Sequence, residues 1–376
     1  MTGTGRIVAV LAVVLIAAGV ALRYPAILAF GIALALLMAI ALIWIFRRPR
    51  VRAERRVSPE RVTVGETALS ELTVTNLGRR RTTGGIAVEA FGGELLSVEL
   101  PALDPGQSEL VIQPLPTDQR GVFQVGPLLV ARSDPFGLLR VGQEQRDLAT
   151  LFVHPRVIHL APFPSGLHRD LDGPSAGEAP DGGITFQNLR EYVEGDDLRL
   201  VHWRSYAKTG ALMVRHNIDT HQPRSIVILD TRAAVHSAES LENAIEAAAS
   251  IVSASMMKRY PFRLETTCGT TLDNKMTKAK VFDLLAGLVA ADTGSIADAV
   301  RRLTRDRGGS SLAVVSGRCS TDDLAVLSTV QRKFEAITIG RIGARIESEI
   351  TLAPGAVLIN AAGAVEFARA WNRRAA

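Results

Sequence analysis

Ser225-Ile226-Val227-Ile228-Leu229-Asp230 is the stretch that decides the fold. A short, continuous apolar run that ends in a carboxylate reads as a strand buried on both faces. Its sequel settles the class: Leu241, Ile245, Ala248, Val252 and Met256 recur at three- and four-residue spacing, one stripe of a long helix. The alternation continues downstream. Residues 263–268 read as a second strand, 275–290 and 296–305 as helices, and 311–316 as another strand. Ser320-Thr321-Asp322-Asp323 carries helix-capping chemistry, and strands over 335–340 and 356–360 precede a C-terminal helix. Strands alternating with helices predict a largely parallel sheet covered on both faces, an α/β Rossmann-like domain over 225–376.

Sheets of this kind bind ligands beyond the carboxyl ends of their strands, and Asp230 stands there. In von Willebrand factor A domains that position opens an Asp-x-Ser-x-Ser loop whose hydroxyls help hold Mg²⁺. Here the loop reads Asp230-Thr231-Arg232-Ala233-Ala234. Arg232 and Ala234 replace both hydroxyls, and a guanidinium repels a divalent cation that needs several oxygen ligands. The expectation is a von Willebrand A-like fold with a degenerate cation site at Asp230, no metal and no cofactor. Arg232 is placed to neutralise Asp230 from within the chain.

Immediately upstream, residues 186–215 read FQNLREYVEGDDLRLVHWRSYAKTGALMVR. Arg190, Tyr192, Gly195, Asp196, Asp197, Arg199, His202 and Trp203 crowd into this segment, with Arg204 and Lys208 beside them. Asp196, Asp197 and His202 are residue types that bind metals or exchange protons. The surrounding cations, however, favour ionised carboxylates and salt bridges over a general acid. Gly195 suits a turn, Asp197 a cap for the next segment, Arg199 a pair with Glu194, and Trp203 a ring packed beneath. A structural or binding polar network is preferred here to catalysis, since ion-pair networks occur without catalytic roles. No GxSxG, HExxH or Walker-type loop appears elsewhere. Cys268 and Cys319 lack CxxC spacing, which excludes a disulfide scaffold. Cys319, without a histidine partner, reads as an inert thiol.

Residues 161–185, rich in Pro, Gly, Ser and Asp, read as a flexible linker before this motif at 186–224. Earlier still, 47–160 holds a basic juxtamembrane segment and short period-two runs: Val62-Thr63-Val64, Leu72-Thr73-Val74, Ile86-Ala87-Val88, Leu96-Ser97-Val98 and Phe123-Gln124-Val125. Turns such as Asp104-Pro105-Gly106 separate them, the pattern of a β-sandwich-like domain. Phe136, in the turn Asp134-Pro135-Phe136-Gly137-Leu138, is expected to plug its core.

Residues 1–46 contain two apolar runs, 7–22 and 26–46, split by Arg23, Tyr24 and Pro25. The second is long enough to cross a hydrocarbon core of ~30 Å at ~1.5 Å per residue. Together they predict a transmembrane helical hairpin at the plasma (inner) membrane, a multi-pass anchor rather than a cleaved signal. Arg47, Arg48, Arg50, Arg52, Arg55 and Arg56 come directly after it, so the soluble domains are expected in the cytoplasm. The same arginines are candidates for anionic headgroups of the bilayer. They account for a net charge of +5 without invoking a nucleic acid.

Phe186, Leu189-Arg190-Glu191-Tyr192, Gly195-Asp196-Asp197, Arg199, His202-Trp203, Ser205, Ala207, Leu212 and Val214 together resemble the signature of the domain-of-unknown-function-58 family. Arg120-Gly121, Asp134-Pro135-Phe136-Gly137-Leu138 and Val153-His154-Pro155 extend the likeness over most of the chain. The resemblance implies a membrane-anchored von Willebrand A-like protein, in a family commonly encoded beside MoxR-type AAA+ ATPases and transglutaminase-like membrane proteins. The function expected on that basis is a non-enzymatic, membrane-tethered cytoplasmic adaptor or scaffold, partnered by such an ATPase and other membrane proteins. The alternative is a hydrolase or cation-dependent enzyme using Asp196, Asp197 and His202. A purely structural component of an envelope-assembly complex is a third reading.

Overall fold

The two N-terminal apolar runs form helices α1 (Gly3–Ala21) and α2 (Pro25–Phe46). The computed structural model describes residues 3–46, 51–82, 84–133, 136–161, 184–193, 201–219, 224–304, 311–343 and 356–375. Pro25 opens α2, where its missing N–H costs no helical bond. The hairpin closes on glycine. A Cβ at Gly19 would stand 2.5 Å from the Leu28 nitrogen, and one at Gly31 2.8 Å from the Ile16 nitrogen. Both helices are long and apolar enough to cross a membrane, and most of their surface is exposed rather than packed in a core. They mark a membrane-spanning or signal element.

The chain divides into two units, Met1–Arg156 with Phe282–Leu288, and Val157–Val281 with Val289–Ala376. In the first, β1 (Val51–Ser58), β3 (Ala68–Asn76) and β6 (Ser108–Leu115) make one sheet, in the order β1-β3-β6. The other sheet joins β2 (Arg61–Thr63), β9 (Ala149–His154), β7 (Gly121–Ser133), β4 (Gly85–Phe91) and β5 (Glu94–Leu100), with β8 (Arg140–Gln145) also on β7. Inward residues of both sheets, among them Val57, Ala68, Phe91, Leu115, Val125 and Leu151, share one core. The period-two runs thus become a two-layered β domain.

Two expectations fail here, each for a local reason. Arg55 is not free for headgroups: it alternates with Ala53 and Val57 onto the inner face of β1. There its Nη1 donates to Glu89 Oε1 at 2.9 Å, with both side chains buried. Arg52 pairs with Glu54 at the surface; Arg47, Arg48 and Arg50 lie outside the described residues. Phe136 does not plug the core, being 50% exposed. Gly137 takes a positive φ of 66°, and the two leucines after it are the buried ones. Leu138 and Leu139 pack with Ala41, Val8, Leu37 and Met38 of the helical hairpin.

Two residues of the upstream likeness bind the Phe282–Leu288 segment of the same unit. Arg120 Nη1 donates to the carbonyls of Leu285 and Ala286 at 2.8 and 2.6 Å. His154 Nε2 lies 2.8 Å from Asp283 Oδ1, and Arg61 pairs with the same carboxylate.

The second unit begins with a two-stranded antiparallel ribbon, β10 (Ile184–Glu191) and β11 (Met213–Asp219), with α3 (Trp203–Thr209) between them in sequence. Next come β12 (Ser225–Leu229), α4 (Ala238–Met257), β13 (Phe262–Thr266), β14 (Thr271–Asp273), the start of α5 (Lys278–Ala286), whose residues from Phe282 on belong to the first unit, and α6 (Ile296–Thr304). The chain ends with β15 (Ser311–Ser316), α7 (Thr321–Val330), β16 (Ala336–Ile342), β17 (Ala356–Ala361) and α8 (Ala364–Ala375). The six-stranded sheet runs β14-β13-β12-β15-β16-β17 and is parallel except for the edge strand β14. Ile226, Ile228, Leu312, Val314, Ile337 and Ile339 face α6 and α7. On the other face Gly340 leaves room for Phe367 of α8, whose ring a Cβ there would meet at 2.6 Å.

The sheet is thus largely parallel with one antiparallel edge strand, a mixed sheet consistent with a Rossmann-like α/β region. The helix expected over 275–290 is shorter at both ends, spanning Lys278–Ala286. β16 runs past Gly340, since Arg341 and Ile342 still pair with Asn360 and Ala361.

Candidate functional site at the carboxyl edge

β12 is buried along its whole length, and the backbone N–H of Asp230 donates to the Val315 carbonyl at 2.8 Å. The strand therefore delivers Asp230 to the carboxyl edge with its side chain 0% exposed. A buried carboxylate needs a full set of donors. Oδ1 accepts from Arg232 Nε at 2.9 Å, the Arg232 backbone N–H at 3.2 Å and Thr267 Oγ1 at 3.3 Å. Oδ2 accepts from Arg232 Nη2 and Ser316 Oγ, both at 2.7 Å. The guanidinium is held in turn by Asp323, whose Oδ2 lies 2.9 Å from Nη2.

Neighbouring loops fix this geometry. Arg232 forms a bridge with Ala291, flanked by Ala291 N–H to Thr231 O at 2.8 Å and Ala233 N–H to Ala291 O at 2.9 Å. Gly317, after β15, leaves room for the Val235 carbonyl, which a Cβ there would overlap. Asp323 sits in the first turn of α7, where Ser320 and Asp323 form a reciprocal capping box. His236 is clamped as well: Nε2 donates to the Asp230 carbonyl at 3.0 Å, so Nδ1 accepts from Ser240 Oγ at 3.0 Å. Burial holds the His236 pKa below its ordinary value, against the opposing pull of Asp230, and the ring stays neutral.

Charge is distributed accordingly. Burial opposes ionisation of Asp323, yet donation from Arg232 and Ser320 outweighs it and holds the carboxyl below the usual range. Cys319, buried just before the capping box, is pushed up to about 12 by desolvation and then by Asp323 and Asp230. It is a protonated thiol at neutral pH. Cys268 is exposed; burial raises its pKa, but hydrogen bonds from Thr266, Thr231 and Thr270 prevail and lower it. What the edge offers at Asp230 is a closed ion-pair set. A cation at Asp230 would have to displace a bidentate guanidinium.

The upstream motif divides. Gly195, Asp196, Asp197 and Arg199 lie outside the described residues, as do the side chain of Arg190 and the linker over 162–183. Arg190 pairs through its backbone with Val214 in the β10–β11 ribbon, and Tyr192 N–H donates to the Leu212 carbonyl at 2.9 Å. Val201 bridges to Val214, and His202 N–H donates to the Met213 carbonyl at 2.7 Å. His202 Nδ1 lies 2.8 Å from Ser205 Oγ. Trp203 was expected beneath this segment and is instead 61% exposed. It is the first residue of α3, and its ring meets Tyr206, one turn on, edge to face at 6.3 Å. Together Trp203 and Tyr206 present an aromatic surface beside the ribbon.

Sequence reasoning named Asp230 and Arg232 but missed Thr267, Ser316 and Asp323. The available signal was position: all three stand at strand ends or at a helix start, where the chain converges on the carboxyl edge.

No family model matches the chain, and no curated protein matches it. Solved structures align over parts of it. The CARDB domain of a Pyrococcus furiosus protein is 22% identical, over 28% of this chain and 91% of that one, with a TM-score of 0.22. A β-glucosidase from Listeria innocua is 15% identical, over 28% of this chain and 16% of that one, also at 0.22. The alkylpurine DNA glycosylase AlkC of Pseudomonas fluorescens is 14% identical, over 35% of this chain and 40% of that one, at 0.21. Similarity of this degree carries no argument about function.

Proposed function

We propose that the chain is a membrane-tethered cytoplasmic adaptor that works without catalysis and without a metal at Asp230, docking a MoxR-type AAA+ ATPase in the assembly or maturation of a protein complex. The observation that carries this reading is the bidentate capture of Asp230 by Arg232, which fills the edge where α/β sheets of this kind hold cations or catalytic groups. Two further features support it. The apolar hairpin α1–α2 is suited to anchoring a multi-pass protein, and the arginine-rich stretch after it favours a cytoplasmic soluble region. The exposed Trp203–Tyr206 pair belongs to residue types that anchor protein interfaces. The ATPase itself is drawn from the likeness of residues 186–214 to the domain-of-unknown-function-58 signature.

Affinity capture of the full-length protein from its own membranes, wild type beside Asp197→Ala and Trp203→Ala, tests the docking role. The ATPase should accompany the wild type and be depleted from the folded variants. Retention by both variants would remove these residues from the docking face. The alternative enzyme, a hydrolase using Asp196, Asp197 and His202, requires those three side chains to converge on a substrate; a hydrolytic activity abolished by Asp197→Ala would establish it in place of the adaptor.

A further inference from the structure

Four polar side chains stand in one row across the carboxyl ends of the parallel strands. Ser316 is in register with Arg341, and Arg341 with Asn360. Asp230 directly follows Leu229, the register partner of Val315. The residues two positions earlier, Ile228, Val314, Ile339 and Leu358, all belong to the apolar layer beneath α6 and α7. Side chains alternate faces along a strand, so the row caps that layer.

Asp230 and Ser316 are satisfied by each other and by Arg232. The other half of the row is not. Arg341 is only 7% exposed, and its Nε and Nη1 are buried with no acceptor among the described residues. Asn360 Oδ1 is likewise buried with no donor among them. Such groups are costly to leave bare. Asp323, at the start of α7, already takes bonds from Arg232 and from the backbone and hydroxyl of Ser320. Its capping box also occupies the start of α7, so the helix end is not what is vacant.

We propose that Arg341 and Asn360 form a phosphate-binding site. A phosphate group meets both residues at once: its oxygens accept from one edge of the Arg341 guanidinium, so that either Nε or Nη1 gains an acceptor, and a protonated oxygen donates to Asn360 Oδ1. A carboxylate would satisfy Arg341 and leave Asn360 bare. The formal charges of Asp230 and Asp323 offset those of Arg232 and Arg341, so the site favours a singly charged phosphate over the dianion. Free phosphate and a small phosphomonoester share this chemistry.

Calorimetric titration of the full-length protein in detergent with inorganic phosphate, phenyl phosphate and acetate tests the site. Phosphate should bind saturably and more tightly than acetate. Arg341→Met should weaken it by about tenfold or more, the loss expected for a charge-assisted pair. Asn360→Leu, which keeps the arginine, should weaken it severalfold. Because it removes a bare buried cation, Arg341→Met should melt no lower than wild type without ligand. Phenyl phosphate bound as well as inorganic phosphate identifies an ester ligand; its exclusion identifies free phosphate. Absence of saturable binding, or wild-type affinity in both variants, would overturn the proposal.

Discussion

Arg232 grips both carboxylate oxygens of Asp230, two residues away in sequence, through Nε at 2.9 Å and Nη2 at 2.7 Å. The residue that would repel a cation also supplies the charge that a cation would have supplied. Because Asp230 is fully buried, removing Arg232 leaves it with Thr267, Ser316 and one backbone N–H. Arg232→Ala should therefore destabilise the protein by ~3–5 kcal/mol, the usual cost of stranding one member of a buried pair. Asp230→Asn should cost less, because Arg232 retains Asp323. Thermal melting of both variants checks the order, and equal melting temperatures would contradict it.

Acid should loosen the same cluster. The Asp323 pKa is lower in the folded chain than in the unfolded one, so its stabilisation is complete above the unfolded value of ~4 and disappears as pH falls through the folded value. The melting temperature should drop on acidification below about pH 4. Asp323→Asn should melt lower at neutral pH and show a shallower acid limb. An unchanged slope in that variant would show that other carboxylates govern the acid response.

The helical hairpin makes a steric prediction. Gly19→Ala places a methyl 2.5 Å from the Leu28 nitrogen and 2.7 Å from its Cα, both backbone atoms that cannot swing aside. The helices must separate, at ~1–3 kcal/mol by analogy with overpacked cores. Gly3→Ala, with nothing within 4 Å of its new methyl, is the matched control. A lower melting temperature in detergent for Gly19→Ala alone is the expected result.

The sandwich contains a buried pair with the same logic. Arg55→Ala should strand Glu89 and cost ~3–5 kcal/mol, whereas replacing both by apolar residues of similar volume should recover most of that loss. Chemical denaturation of the three variants measures the difference, and additive losses in the double variant would contradict it.

Periodicity carried much of the fold. The buried run at 225–230 and the spacing from Leu241 to Met256 indicate an α/β sheet without any tertiary information, and the Ser320–Asp323 cap is local by nature. Arg232 beside Asp230 was legible for the same reason. What failed depends on direction in space. Phe136 looked like a core plug, but it stays exposed, and the leucines after Gly137 are buried against the helical hairpin instead. Arg55 looked like one more juxtamembrane cation, although period-two alternation already assigned it to the inner face. Trp203 faces outward from the first position of α3, a direction that its residue type does not encode. The Ser316–Arg341–Asn360 row depends on register between strands far apart in sequence, which no local pattern encodes.

Capture of the full-length protein from native membranes, with Mg²⁺ in one arm and EDTA in the other, tests the metal-independent adaptor most directly. A MoxR-type ATPase should co-purify to the same extent in both arms, because Arg232 replaces the cation at Asp230. Nucleotide is left out of both arms, so that the ATPase's own need for Mg²⁺ does not enter. Recovery of the ATPase only with Mg²⁺, or its absence from both arms, would contradict the proposal.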